Sequence, residues 1–114
     1  MTTASIDTAR QPDLSATLIA AASLIAAAAL VERTGVTGVS VTVCGSDINV
    51  QVPTYIGDEP TRAAAVAAYA RALSAPVQRV TDRHTWIRTD GVIATHPVRV
   101  YTLADPATAA REGV

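Results

Sequence analysis

The chain contains no lysine and no phenylalanine, and it has a single cysteine, Cys44, and a single tryptophan, Trp86. One cysteine excludes a scaffold held together by disulfides. Charged residues make up 17% of the 114 residues and the net charge is −1, so the overall charge does not attract a polyanion such as a phosphate backbone. An apolar share of 49% argues against a disordered chain and suits one small domain with its own core.

Arginine supplies all nine basic residues, and alanine, threonine and valine are unusually frequent. This combination is what GC-rich codons produce, so genomic bias explains it. Selection of arginine for bidentate recognition of anions is the alternative interpretation.

The longest uncharged stretch is Leu14–Val31, an 18-residue run with the length of a membrane span. Eight of its residues are alanine and three are serine or threonine, so its hydropathy is marginal for insertion. The residues before it include Asp7, Arg10 and Asp13, which lack the basic character of an export signal. We therefore expect a soluble helix in a cytoplasmic protein, with a membrane anchor as the less favoured alternative.

Pro12 and Asp13 predict the start of this helix, and Gly35 predicts its end. The larger of two apolar stripes comprises Leu14, Leu18, Ala21, Leu24, Ile25, Ala28 and Val31. The smaller stripe comprises Ile19, Ala26 and Leu30. A helix that is apolar nearly all round is usually covered on more than one side, so we expect the smaller stripe to contact a second copy of the protein.

Val39–Val52 predicts a β-hairpin, because valine and isoleucine alternate with polar residues on both sides of a Gly45–Ser46 turn. This turn pairs Val43 with Ile48 and Val41 with Val50, and all apolar side chains then share one face.

A second helix is predicted over Thr61–Leu73, with Asp58 or Glu59 as its cap. Asp90–Gly91 is typical of a type I′ turn and predicts a second hairpin of Val77–Thr89 with Val92–Leu103. The predicted class is therefore α+β, in the order helix–hairpin–helix–hairpin, with two helices packed on one face of a four-stranded antiparallel sheet. We expect a single domain over residues 13–104, with a flexible N-terminus, 1–12, and a flexible tail, 105–114.

Two stretches, GDEPTRAAAVAAYARAL (57–73) and HTWIRTDGVIATHPVRVYT (84–102), resemble small proteins of GC-rich actinobacteria and their mobile elements. No activity is attached to such proteins, so the resemblance carries over no functional residues. It implies an accessory bacterial or phage protein.

Metal binding and catalysis have little support in the sequence. Cys44, His84 and His96 are the candidate ligands, but no CxxC, HxxxH or HExxH spacing is present, so we expect no metal and no cofactor. Asp47 near Cys44 would raise the pKa of the thiol, which argues against an activated nucleophile. Asp58 and Glu59 are interpreted as capping residues of the second helix and not as a pair of catalytic carboxylates. The sequence therefore predicts no catalytic residues.

One constellation stands out: Trp86, Arg88, Arg99 and Tyr101 fall on the sheet face opposite the helices. Aromatic residues and arginine are the types that protein interfaces favour. We expect a non-enzymatic protein–protein interaction module, acting as a homodimer or docking onto a protein partner. The alternatives are a nucleic-acid-associated regulator that uses the same face and, less favoured, a small enzyme or ligand-binding protein.

Overall fold

The computed structural model describes the backbone of residues 2–106 and the side chains of residues 15–106. Its elements are, in chain order, α1 (Thr2–Thr34), β1 (Ser40–Cys44), β2 (Asp47–Gln51), a short 3₁₀ helix (Thr54–Ile56), α2 (Glu59–Leu73), β3 (Val77–Thr81), β4 (Thr85–Ile93) and β5 (His96–Leu103). The predicted flexible tail lies outside the described residues from position 107 onward, and so do the side chains of the predicted segment 1–12.

The strands form one mixed sheet in the order β1-β2-β5-β4-β3, in which β2 and β5 run parallel and the other neighbours run antiparallel. The α+β class is confirmed, whereas the prediction of a four-stranded, wholly antiparallel sheet is wrong. The parallel pair brings Ile48 beside Val98 and Val50 beside Val100. All four side chains are buried, so the two hairpins share one apolar core.

The first hairpin matches its prediction, since Val43 pairs with Ile48 and Val41 with Val50 across the Gly45–Ser46 turn. Strict alternation of apolar and polar residues excludes a one-residue slip, because that slip would separate the valines onto two faces, and the two-residue turn then selects this register.

The predicted turn at Asp90–Gly91 is wrong, because both residues lie inside β4 and pair with Arg99 and Val98. The β4–β5 turn is formed instead by Ala94 and Thr95, whose φ angles are +47° and +70°. The predicted first strand of this hairpin is also divided: β3 ends at Thr81, and the chain turns over residues 82–84 before β4 begins. Asp82 and Arg83 are part of this turn, and the sheet gains a fifth strand.

Both helices pack on one face of the sheet, as predicted: α1 covers β1 and β2, and α2 covers β4 and β5. The residues they enclose include Leu30, Val50, Val66, Tyr69 and Val100, each fully buried. We call this the inner face of the sheet and the opposite one the outer face. The helix α1 begins at Thr2, not at the predicted start near Asp13.

Ser23 anchors α1 to the turns of both hairpins. Its hydroxyl donates to the Gly45 carbonyl oxygen at 2.9 Å and lies 3.1 Å from His96 Nδ1. The same Nδ1 lies 3.1 Å from the Ser46 carbonyl oxygen. Ser23 and its neighbour one turn on, Ala27, are small and buried, which lets the helix lie close to the strands.

Candidate functional site

The register of β2, β5 and β4 brings the four residues of the predicted constellation together on the outer face. Arg88 pairs with Tyr101 and Trp86 with Leu103, while Arg99 lies beside Asn49 of β2. Although Pro97 is the second residue of β5, the alternation along this strand continues unbroken to Tyr101. Pro97 is tolerated because pairing with β2 begins one residue later, at Val98.

Asp90 links the two arginines of this face. Its Oδ1 accepts a hydrogen bond from Arg99 Nε at 2.9 Å, and its Oδ2 lies 3.1 Å from Arg88 Nε. The contact between Arg88 and Asp90 is an ion pair without an aligned hydrogen bond. Arg88 Nε is shielded from solvent and has no hydrogen-bond partner. Within residues 15–106, the terminal nitrogens of both guanidinium groups donate no hydrogen bond. They are therefore open to an incoming acceptor.

The aromatic side chains of the outer face contact one another edge to face. The ring centres of Trp86 and Tyr101 lie 5.7 Å apart at an angle of 77°, and His84 packs on Trp86 with centres 6.3 Å apart. Such contacts hold each ring in one orientation. Trp86 and Tyr101 are each half-buried, so their edges remain available to a ligand.

These residues line a shallow pocket of about 240 Å³ on the outer face, formed by Asn49, Trp86, Arg88, Arg99 and Tyr101. A second depression of about 310 Å³ adjoins it and shares Asn49 and Arg99. Asp47 and Asp90 line the second depression, so the positive character is concentrated at the first. We call the first depression the arginine pocket.

The structure separates the residues that were predicted for self-association. Leu30 is fully buried in the core of its own chain and cannot contact a second molecule, and Ala26 is half-buried beside it. Only Ile19 is exposed, at 48%. The reason is that Ser23, Ala27 and Leu30 form the buried face of α1. The large side chains of the other stripe, Leu18, Leu24 and Ile25, point outward.

The exposed apolar surface of α1 is thus the larger stripe, of which Leu18, Leu24 and Ile25 are 63%, 56% and 72% exposed. We call these three residues the α1 outer stripe. Between α1 and β1 runs an apolar groove of about 420 Å³, lined by Leu24, Ala27, Ala28, Val31, Glu32 and Val41. Ser15–Thr34 is the one segment, among the described residues, long and apolar enough to cross a membrane. Only 22% of an 18-residue window of this segment is buried.

The candidate metal ligands do not converge. Cys44 is exposed at the end of β1, His84 packs on Trp86, and His96 is bonded to Ser23 and Ser46 on the other side of the sheet. Among residues 15–106, no group of three or more histidine, cysteine or carboxylate side chains could hold a metal ion.

A buried arginine, which the sequence analysis did not single out, joins α2 to the end of β5. Arg62 is 2% exposed and donates to the Gly57 and Leu103 carbonyl oxygens and to the Thr102 hydroxyl. Its Nη2 also pairs with Asp105 Oδ1 at 2.6 Å. Arg62 lies four residues before Val66 on the buried stripe of α2, and this spacing was a signal for its burial.

Two pKa shifts also reflect local structure. Hydrogen bonds from the Thr61 side chain and main chain lower the pKa of Asp58, the cap of α2. Burial raises the pKa of Tyr69, whose hydroxyl donates to the Val36 carbonyl oxygen at 3.3 Å. Both groups stabilise the fold and lie away from the arginine pocket.

Comparison with known proteins returns no match: no family model, no curated protein and no solved structure is significantly similar to this chain. A functional proposal therefore depends on the geometry of the arginine pocket and of the α1 surface.

Proposed function

We propose that this protein is a non-enzymatic interaction module that acts as a homodimer and binds an acidic segment of a partner protein in the arginine pocket. The observation that supports the docking site is the Arg88–Asp90–Arg99 cluster. One carboxylate holds two guanidinium groups side by side while their terminal nitrogens stay open. Guanidinium groups held in this way are suited to bidentate binding of a second carboxylate.

Charge and size both favour an acidic side chain as the occupant. Arg88 and Arg99 with Asp90 leave one net positive charge in a chain whose net charge is −1. The volume of about 240 Å³ suits one side chain better than a larger ligand. The edges of Trp86 and Tyr101 would pack on the methylene stem of a glutamate, whose carboxylate meets the arginines.

Single-stranded nucleic acid is the competing occupant. One net positive charge would release few counterions from a phosphate backbone, so the electrostatic gain is small. The two aromatic rings meet edge to face at 77°, and do not form a flat platform on which successive bases could stack. These features favour a peptide.

Trp86 allows a direct test, because it is the only tryptophan and lines the pocket. Titration of the full chain with a short polyglutamate peptide should change its fluorescence. Arg99→Gln should weaken this binding about tenfold or more, since one charge-assisted hydrogen bond pair is lost. Arg71→Gln is the matched control, because Arg71 is exposed on α2, on the other side of the sheet, and its loss should leave the affinity unchanged.

A parallel titration with an oligothymidylate of equal charge separates the alternatives. Tighter binding of the oligonucleotide, lost in Arg99→Gln, would make the site a nucleic-acid interface and overturn the peptide assignment. If neither probe changes the fluorescence at low salt, the arginine pocket is not an anion-binding site.

The α1 outer stripe supports the homodimer. Three large apolar side chains, each more than half exposed, lie on a helix without a charge between Leu14 and Val31. Exposed apolar surface of this kind marks interaction sites. Light scattering after size exclusion should give twice the chain mass, and Ile25→Asp should reduce it to one chain. Ala64→Asp, on the exposed side of α2, is the control for an added charge and should remain dimeric.

A cytoplasmic location forms part of the proposal. Burial of Ser23 and Leu30 against the sheet supports it, because insertion of Ser15–Thr34 into a bilayer would first detach these residues. Co-sedimentation of the full chain with phosphatidylcholine and phosphatidylglycerol vesicles tests the alternative. Firm binding that Ile25→Asp abolishes would reassign the α1 outer stripe to a membrane.

A further inference from the structure

The two edges of the sheet differ in how they are protected against pairing with another chain. Of the five strands, β1 and β3 lie at the edges. Natural edge strands are usually shielded by charged residues, proline or inward-pointing charges. The edge β3 follows Pro76 and carries Arg79, whose Nη2 lies 3.7 Å from Glu59 Oε2 on the helix side. The edge β1, Ser40–Cys44, has neither a charge nor a proline.

The free backbone groups of β1 belong to its two valines. Cys44 and Asp47 flank a two-residue turn, so they exchange hydrogen bonds, and Thr42 and Ser40 repeat this pattern. The other side of β2 bonds to β5, as the Val52 N–H to Tyr101 carbonyl bond of 2.9 Å illustrates. Val41 and Val43 therefore direct their N–H and C=O groups away from the sheet.

We propose that two copies of this protein join through β1, which pairs antiparallel with β1 of the second copy to make one continuous ten-stranded sheet. This inference rests on the proposed homodimer and names its interface. A two-fold axis at Thr42 sets Val41 against Val43 of the second copy, and both then exchange backbone hydrogen bonds. No charge lies in β1, so pairing of the two β1 strands sets no charged side chains against each other. Pairing of two β3 strands would instead bring the Arg79 side chains of both copies together.

The position of α1 fits this interface. The helix packs on both β1 and β2, so it lies about one strand spacing from the two-fold axis. With strands about 4.8 Å apart, the two α1 helices would be separated by about 10 Å, the distance of directly packed helices. The apolar groove of about 420 Å³ beside β1 then lies between them, and Leu24 and Ala28 of each copy can fill it. Backbone pairing and apolar burial thus occur at the same surface.

The consequence for function is a bivalent outer face. The axis runs perpendicular to the sheet, so both copies turn the same face outward. Two arginine pockets would lie on one continuous surface, which favours a partner with two acidic segments over one with a single segment.

Val43→Pro tests the pairing, because it removes an N–H that points out of the sheet and leaves the bonds to β2 intact. We expect the dimer to dissociate about a hundredfold more readily, since one hydrogen bond is lost on each side of the axis. Val77→Pro, at the other edge, is the matched control and should dimerise like the wild type. Mass is measured by light scattering over a wide concentration range, with circular dichroism to confirm folding.

Each result leads to a decision. Dissociation of Val43→Pro alone supports the edge pairing. A Val43→Pro protein that stays dimeric overturns it and leaves a dimer formed by other surfaces, whereas a monomeric wild type overturns the homodimer as well. If Val43→Pro does not fold, hydrogen exchange of the wild type decides: slow exchange of the Val41 and Val43 amides at dimer concentrations supports the pairing, and rapid exchange contradicts it. Neither result alters the test of the arginine pocket.

Discussion

Gly91 of β4 lies directly beneath Leu73 of α2: a Cβ atom at Gly91 would be 2.9 Å from Leu73 Cβ. Real Cβ atoms do not approach so closely, so glycine is required here by the proximity of a helix. We expect Gly91→Ala to lower the free energy of unfolding by about 1–3 kcal/mol, because α2 must shift away from the sheet. Val92→Ala, at an exposed neighbouring position, should cost clearly less. Urea denaturation measures both, and equal stabilities would contradict the close contact.

The β4–β5 turn is occupied by residues that disfavour its backbone conformation. Ala94 and Thr95 have φ of +47° and +70°, where side chains with a Cβ are strained. The double variant Ala94→Asn, Thr95→Gly introduces the preferred pair for a type I′ turn and should stabilise the fold by about 1–2 kcal/mol. An unchanged or lower melting temperature would show that the turn lies elsewhere.

Two buried threonines of the inner face should respond oppositely to the same substitution. The Thr89 hydroxyl has no hydrogen-bond partner, whereas the Thr102 hydroxyl donates to the Val52 carbonyl oxygen at 2.8 Å and accepts from Arg62. Thr89→Val removes an unsatisfied buried group and should raise the free energy of unfolding by about 1 kcal/mol, while Thr102→Val should lower it by about 1–3 kcal/mol. Chemical denaturation of both variants is the measurement. Destabilisation by Thr89→Val would mean that its hydroxyl is hydrogen-bonded.

Arg62 should be the most important charged residue for stability. Arg62→Met keeps much of the side-chain volume but leaves the Thr102 hydroxyl, two carbonyl groups and Asp105 without their donor. We expect a loss of about 3 kcal/mol, because the Gly57 and Leu103 carbonyl oxygens and the Thr102 hydroxyl lose a charged donor. Arg71→Met, at an exposed position on the same helix, should be nearly neutral. Similar denaturation midpoints for the two variants would exclude a stabilising role for the Arg62 network.

Stability should decline at low pH in part through Asp58. Its folded-state pKa lies below the ordinary value of 3.8, because the carboxylate accepts hydrogen bonds from Thr61. Its contribution is therefore complete above the ordinary value and is lost as the pH falls through the lower folded value. Asp58→Asn keeps a capping side chain that does not titrate, so its melting temperature should fall less than that of the wild type between about pH 5 and about pH 2. Parallel curves for the two proteins would exclude this contribution.

Local patterns in the sequence were sufficient for several features. The register of the first hairpin follows from alternation with period two around a two-residue turn, since any one-residue slip would expose the valines. Asp58, one of the two residues predicted as the cap of α2, is the cap, and capping could be predicted because it requires only residues adjacent in sequence. The same alternation placed Trp86, Arg88, Arg99 and Tyr101 on one face, although through a register that proved wrong. It did so because the predicted turn and the observed turn both contain two residues, so the same residues of the two strands share a face in both registers.

Other features depend on contacts between distant residues and were decided by the tertiary structure. The Asp90–Gly91 sequence is typical of a turn, but Gly91 lies in a strand at the point where α2 packs closely on the sheet. Only the position of Leu73 reveals this contact. Ser23 meets His96 from 73 positions away, and this contact selects the face of α1 that is buried. Side-chain size along α1 could not identify that face, because close packing on a sheet favours small residues. The sequence alone determined local geometry, because local geometry depends on residues that are neighbours in the chain. The tertiary structure decided which surfaces were left exposed, because exposure depends on how whole helices and strands pack together.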